Sequence, residues 1–202
     1  MRRCCAWERS PSQCPLPFAF VNVAREAAVA YAMSEDVAPH RPHRSRIVLA
    51  VSESDTDLAV DVVHELTHLL FGEIILPSQP GTGGVPRWVQ EGLAHYMVGQ
   101  WSKADVTVMR TLTASDRIPS LSRLTDSSQP ADPRVHDVLG HAAFDYIESR
   151  WGRPGIRRFV DGLIVPRVDA IYTSVLDETP HAFDAAFRQY AKRRFGPEGK
   201  GR

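Results

Sequence analysis

Two histidines four positions apart, with a glutamate directly after the first, stand in the stretch His64-Glu65-Leu66-Thr67-His68. On a helix, residues four apart lie one turn apart on the same face, so His64 and His68 present two imidazoles to one cation. Glu65, beside the first of them, reaches a water on that cation and serves as its general base. The flanks predict the helix. Val62, Val63, Leu66, Leu69 and Leu70 offer apolar surface to bury, Asp55, Thr56 and Asp57 supply cap and first-turn chemistry, and Gly72 stands where the helix would stop. The plainer alternative is a pair of satisfied core histidines on an apolar helix. A third ligand decides between the two.

The stretch Pro86-Arg87-Trp88-Val89-Gln90-Glu91-Gly92-Leu93-Ala94-His95-Tyr96 supplies one. A catalytic zinc site takes three protein ligands and keeps one position open for water. Pro86 suits the first turn of a helix over 87–98, and Gly99 suits its stop. The chain between His68 and Glu91 is long enough to end one helix, turn, and bring a carboxylate back on a second. Gly92, beside that carboxylate, allows close helix approach, and its cost of about 1 kcal/mol relative to alanine calls for such a packing reason. The reading is therefore one zinc ion on His64, His68 and Glu91. His95, one turn beyond Glu91, and Asp61, nearly one turn before His64, are candidates to hold ligating imidazoles from behind. Trp88 and Tyr96 read as packing residues. His40 and His43 sit in a proline-containing loop that gives them no fixed geometry.

The elements that must position these groups read as mostly helical. Residues 1–17, broken by Pro11, Pro15 and Pro17, form a loose tail, and residues 197–202 form another. Between them, 18–196 reads as a single domain. A helix is predicted over 18–33 and a strand over 47–51, leading into the motif helix. Residues 73–76 fit either a short strand or a last helical turn. Helices are predicted over 104–112, 135–151 (ending at Gly152), 154–163, 168–176 and 182–195. The Ser/Asp/Pro-rich stretch 115–133 is expected to be irregular, with Ile118, Leu121 and Leu124 touching the core. The predicted class is α+β and helix-dominated, with a small N-terminal sheet and a helical C-terminal half.

Composition narrows the setting. The 202 residues carry 24 Lys+Arg against 24 Asp+Glu, so no net field favours nucleic acid or an acidic membrane. The cysteines, Cys4, Cys5 and Cys14, all lie in the first fourteen residues, which fits neither a disulfide framework nor a zinc–thiolate site. The best apolar run, 16–33, is interrupted by Arg25 and Glu26, so no integral membrane segment is expected. Met1-Arg2-Arg3 is followed by no apolar signal region, and the chain as it stands is expected to be cytoplasmic.

His-Glu-Leu-Thr-His followed by Pro-Arg-Trp-Val-Gln-Glu-Gly-Leu-Ala-His-Tyr resembles the gluzincin metallopeptidases, especially the bacterial peptidase MA-like domain. The second motif also resembles the W-x-x-E-G-x-A of larger zinc aminopeptidases. The resemblance spans roughly 46–195 and includes the block from Gly140 to Gly152. It implies a zincin-like fold, zinc on His64, His68 and Glu91, and Glu65 as base and proton shuttle. Two departures matter. The G-x-M-x-N signature that holds a substrate's free amino group is absent, which argues for an endopeptidase-like activity. Asp137 stands where aligned relatives carry an oxyanion-stabilising tyrosine, and His136 and His141 are the nearby residues able to donate in its place. The expected function is zinc-dependent hydrolysis of peptide bonds in a peptide or protein substrate. The alternative is a zinc-binding pseudo-peptidase that holds a peptide or partner with little turnover. A purely structural metal would need no base beside its ligand, so Glu65 argues against that third reading.

Overall fold

In the computed structural model, the residues described are 31–35, 44–48, 55–75, 85–125, 132–163 and 168–197. Strands β1 (Tyr31–Glu35) and β2 (Arg44–Val48) form an antiparallel ribbon, with Tyr31 opposite Val48 and Glu35 opposite Arg44. Among the described residues seven helices follow: α1 (Asp55–Ile75), α2 (Arg87–Val98), α3 (Lys103–Ala114), α4 (Leu121–Thr125), α5 (Pro133–Gly162), α6 (Val168–Val175) and α7 (Pro180–Phe195).

The α+β expectation is overturned. The part whose side-chain packing is described is 83% helical and contains no strand, so the class is predominantly helical and the small N-terminal sheet is not seen as a layer. Among the described residues upstream there is only the lone ribbon, and two strands by themselves are too few to make a sheet that stands alone. Its register also revises the element assignments. Tyr31–Met33, read as the end of a helix, lies in β1, where cross-strand pairing overrides local helical preference. The strand expected over 47–51 begins three residues earlier, at Arg44. The remainder of the predicted helix at 18–30, both tails apart from Pro197, the three cysteines, His40, His43 and residues 76–84 lie outside the described residues.

From α1 onward the expected helices are present. α1 starts at Asp55 but runs through the buried Gly72 to Ile75, so that glycine is no stop. α2 ends as predicted, with Gly99 in the left-handed region at φ 78° and its N–H bonded to the Tyr96 carbonyl. α3 is capped by Ser102, whose hydroxyl accepts from the Asp105 N–H. The stretch expected to be irregular contains the short α4, and Ile118, Leu121 and Leu124 do enter the core. α5 breaks where sequence places the stop: Gly152 sits at φ 65°, ψ −175°, a conformation open to glycine almost alone, and Pro154 starts the second half.

The core gathers around α5. Leu139, Phe144, Ile147 and Phe159 are buried along it, with Trp88 of α2 and Phe183 of α7 packed against its two halves. The decisive contact for the site is the crossing of α2 over α5. A Cβ on Gly92 would fall 2.4 Å from the Gly140 backbone, and one on Gly140 would fall 2.1 Å from the Trp88 carbonyl oxygen. Only two glycines let these backbones touch. The close approach foreseen at Gly92 is thus made to α5.

Candidate metal centre

α1 presents His64 and His68 on one face, and their Nε2 atoms lie 3.1 Å apart. α2 brings Glu91 opposite. Its Oε2 is 3.4 Å from His64 Nε2 and 3.5 Å from His68 Nε2. Among the described residues this trio is the one cluster of three ligand-type side chains able to hold a cation. Four-coordinate zinc with bonds of about 2.0–2.1 Å needs neighbouring ligand atoms roughly 3.3–3.4 Å apart, by tetrahedral geometry. The three edges bracket that separation. A 3.1 Å N···N distance alone also fits an N–H···N hydrogen bond, but one carboxylate oxygen facing both nitrogens closes a three-donor pocket. All three side chains are partly open, at about a fifth exposed, so an ion and a further ligand have access.

The charges suit a cation. Burial works against ionising Glu91, but its contacts with His64 and His68 and the charges of His68 and Arg87 outweigh burial and hold the carboxyl far below the usual range. Burial likewise lowers the His64 pKa, yet the hydrogen bond to Glu91 and the charges of Glu65, Glu91 and Asp137 leave it raised. The same acidic surroundings that favour a proton on His64 would favour a cation in its place. Glu65 is 5% exposed and close enough to act on His64, so the expected base is next to the donor cluster and shielded from bulk water.

The neighbouring candidates separate into distinct places. His95 packs its ring edge-on to His64, 4.9 Å between centroids, which constrains that imidazole from the α2 side. Asp61 is half-buried on α1, ahead of His64. His141 is 3% exposed and stacks on Trp101 at 4.1 Å between centroids, with Asp145 3.9 Å from its Nε2. Burial, with His95 and Arg194 adding to it, pushes its pKa down to about 3, and a neutral ring sealed in the core has no route to a substrate. His136 is half-buried, its Nδ1 without a hydrogen-bond partner among the described residues, and burial lowers its pKa. Neither histidine stands with the donor cluster. Trp88 is wholly buried and Tyr96 packs on Phe144, as read from sequence.

Asp137 does come to the site. It lies one turn before Gly140, so the glycine crossing carries it to the Glu91 side of α2. There Arg87 Nη2 bridges two carboxylates, 3.6 Å from Glu91 Oε1 and 3.3 Å from Asp137 Oδ1. Burial and the Glu91 charge raise the Asp137 pKa against the pull of Arg87. Sequence reasoning passed over Arg87. Its spacing of four from Glu91 on a predicted helix carried the signal for half of this contact; the other half depends on α5. Among the described residues no helix is long and apolar enough to cross a membrane.

Compared with known proteins, the chain matches no family model, no curated protein and no solved structure.

Proposed function

We propose that the chain is a zinc-dependent metallopeptidase of the gluzincin kind, hydrolysing peptide bonds in a peptide or protein substrate. The observation that carries this reading is the convergence of His64, His68 and Glu91 within 3.1–3.5 Å, with the buried Glu65 adjoining the first ligand. When bound, zinc supplies Lewis acidity and lowers the pKa of a coordinated water to about 7. Glu65 takes the proton of the attacking water on its carboxylate and delivers it to the departing amine nitrogen. A C–O bond forms, the peptide C–N bond breaks, and one water is consumed. Glu91 stays ionised and His64 neutral for ligation, while His95 limits rotation of the His64 ring.

The test is Glu65→Gln. The variant should hold one zinc per chain by elemental analysis and lose cleavage of an unstructured protein such as casein by about 10²–10⁴-fold, the usual worth of a positioned base. Retained turnover refutes the mechanism. Full zinc occupancy in the unsubstituted protein, with no cleavage of casein or varied peptides, favours the binding-only alternative.

A further inference from the structure

A hydrolytic site of this kind needs a donor aimed where the carbonyl oxygen gains negative charge, and such a donor is commonly the largest single contribution to rate. Around the ligand trio Glu65, the second oxygen of Glu91 and Asp137 are acceptors, and His95 is engaged edge-on with the His64 ring. His141 is sealed against Trp101. The structure assigns the donor to Arg87. We propose that Arg87 is a catalytic residue whose guanidinium hydrogen-bonds the scissile carbonyl oxygen as it becomes an alkoxide, with Asp137 as the positioning residue that aims it. The inference rests on the peptidase reading.

Four observations carry it. Arg87 is one turn before Glu91 on α2, and its Nη2 is 3.6 Å from the Glu91 oxygen that does not face the histidines. The guanidinium therefore adjoins the donor trio through the Glu91 carboxylate. Second, Asp137 holds the same Nη2 from α5 at 3.3 Å, and a planar guanidinium gripped from two helices is restricted in direction. Third, the Arg87 side chain is 50% exposed whereas Glu91 and Asp137 are near 20%, so Arg87 is the most open of the three to an incoming ligand. Only Nη2 is engaged among the described residues, which leaves Nη1 and Nε to donate. Fourth, both contacts are longer than the roughly 2.7–2.9 Å of a tight charge-assisted bond, so they aim Arg87 without saturating its donors. Exposed pairs of this kind contribute little to stability, so their substitution leaves a folded protein to assay.

The experiment uses full-length, zinc-loaded Arg87→Ala, Arg87→Lys and Asp137→Asn. Zinc content and zinc affinity are measured first. Then kcat and KM are measured on a peptide substrate, together with affinity for a phosphinic peptide, whose tetrahedral anionic phosphorus group mimics the attacked carbonyl. Affinity for the matching amide peptide is read in the Glu65→Gln background. Arg87→Ala should keep its zinc and its amide affinity while kcat and phosphinate affinity both fall by about 10²–10³-fold, the scale of one lost oxyanion donor. Arg87→Lys should recover part of both, having the charge without the fork. Asp137→Asn should lower both by about tenfold, through aim alone, on the scale of a misplaced catalytic group.

The proposal is overturned if Arg87→Ala leaves phosphinate affinity within about threefold of the parent, well inside the loss expected of a donor. It is equally overturned if zinc is lost in step with activity, since Arg87 would then only brace Glu91. An Asp137→Asn variant identical to the parent overturns the aiming role. If the parent binds zinc and the phosphinate but cleaves nothing, the peptidase reading fails, and Arg87 is still judged by the phosphinate ratio. If the zinc-loaded parent binds no phosphinate, the Arg87 assignment falls.

Discussion

Gly140→Ala probes the helix crossing on which the position of Glu91 depends, and it does so through the sign of the effect. Gly140 lies within the regular first half of α5, where replacing glycine by alanine would by propensity alone stabilise the helix by about 1 kcal/mol. The structure demands the opposite. The new methyl would sit 2.1 Å from the Trp88 carbonyl oxygen and 2.7 Å from Gly92 Cα, and neither obstacle is a side chain that can rotate aside. The backbones must part by about 1 Å, and overpacking of a well-packed contact costs up to about 3 kcal/mol or somewhat more. The net loss is then about 2 kcal/mol, a fall in Tm of about 4–8 °C for a chain of this length. Thermal and urea unfolding of the metal-free protein measure it. The same variant should bind zinc more weakly, because α2 carries Glu91 while α1 carries the histidines. Gly99→Ala is the control: φ is 78° but nothing lies within 4 Å, so it should cost backbone strain and leave zinc affinity unchanged. A Gly140→Ala protein with Tm equal to or above the parent would refute the crossing.

Zinc affinity should rise with pH by up to about tenfold per unit, the slope for one displaced proton, and level off above the raised His64 pKa. Chelator competition between mildly acid and mildly alkaline pH measures this, and a flat profile refutes it. In the metal-free chain the sign is reversed for stability: the protonated His64 pairing stabilises fully below the ordinary imidazole pKa and fades as pH rises through the raised one. His141 behaves oppositely. With a folded pKa pushed down to about 3, it gives stability present above its unfolded pKa of 6.5 and lost progressively as pH falls toward 3. His141→Phe keeps a ring on Trp101 and removes that titration, so the stability lost between neutral pH and about pH 4.5 should shrink by about 2–3 kcal/mol, from the free energy of two pKa units. Urea midpoints at the two pH values decide, and an unchanged loss would mean His141 is not sealed in the core.

What the residues announced locally, they delivered locally. The four-residue spacing of His64 and His68, the αL stop at Gly99 and the break at Gly152 each follow from one stretch of backbone, and each is where the sequence puts it. The ribbon was misread because Tyr31–Glu35 and Arg44–Val48 acquire their strand character from each other, across eight intervening residues outside either pattern. Gly72 looked like a terminus because a helical glycine costs free energy, yet here it is a buried interior position. Gly92 was legible as a close approach but not its partner, since nothing in a linear reading pairs it with Gly140. The same gap hid the Arg87–Asp137 contact and made His141 look available, when Trp101 was already covering it.

The two halves of the donor set are held by unequal means. α2 is anchored: Trp88, Val89, Gly92, Leu93 and Ala94 are buried, and its backbone touches α5. α1 is held less firmly. Glu65, Thr67, Phe71 and Gly72 turn inward, but Val63, Leu70 and Ile74 are 39–54% exposed, so two of the five apolar residues that predicted the helix, Val63 and Leu70, stay open. Hydrophobic burial stabilises in proportion to area removed from water, so α1 docks with a smaller share of that driving force than α2. The His64–Glu91 and His68–Glu91 contacts cross this weaker seam. A cation shared among them would join α1 to the α2–α5 unit, so that its binding free energy also serves as docking free energy for the helix that carries Glu65. On this view a bound ion would also draw Glu65 toward the donor set, and the rigid reference for both is the pair of glycines where α2 meets α5.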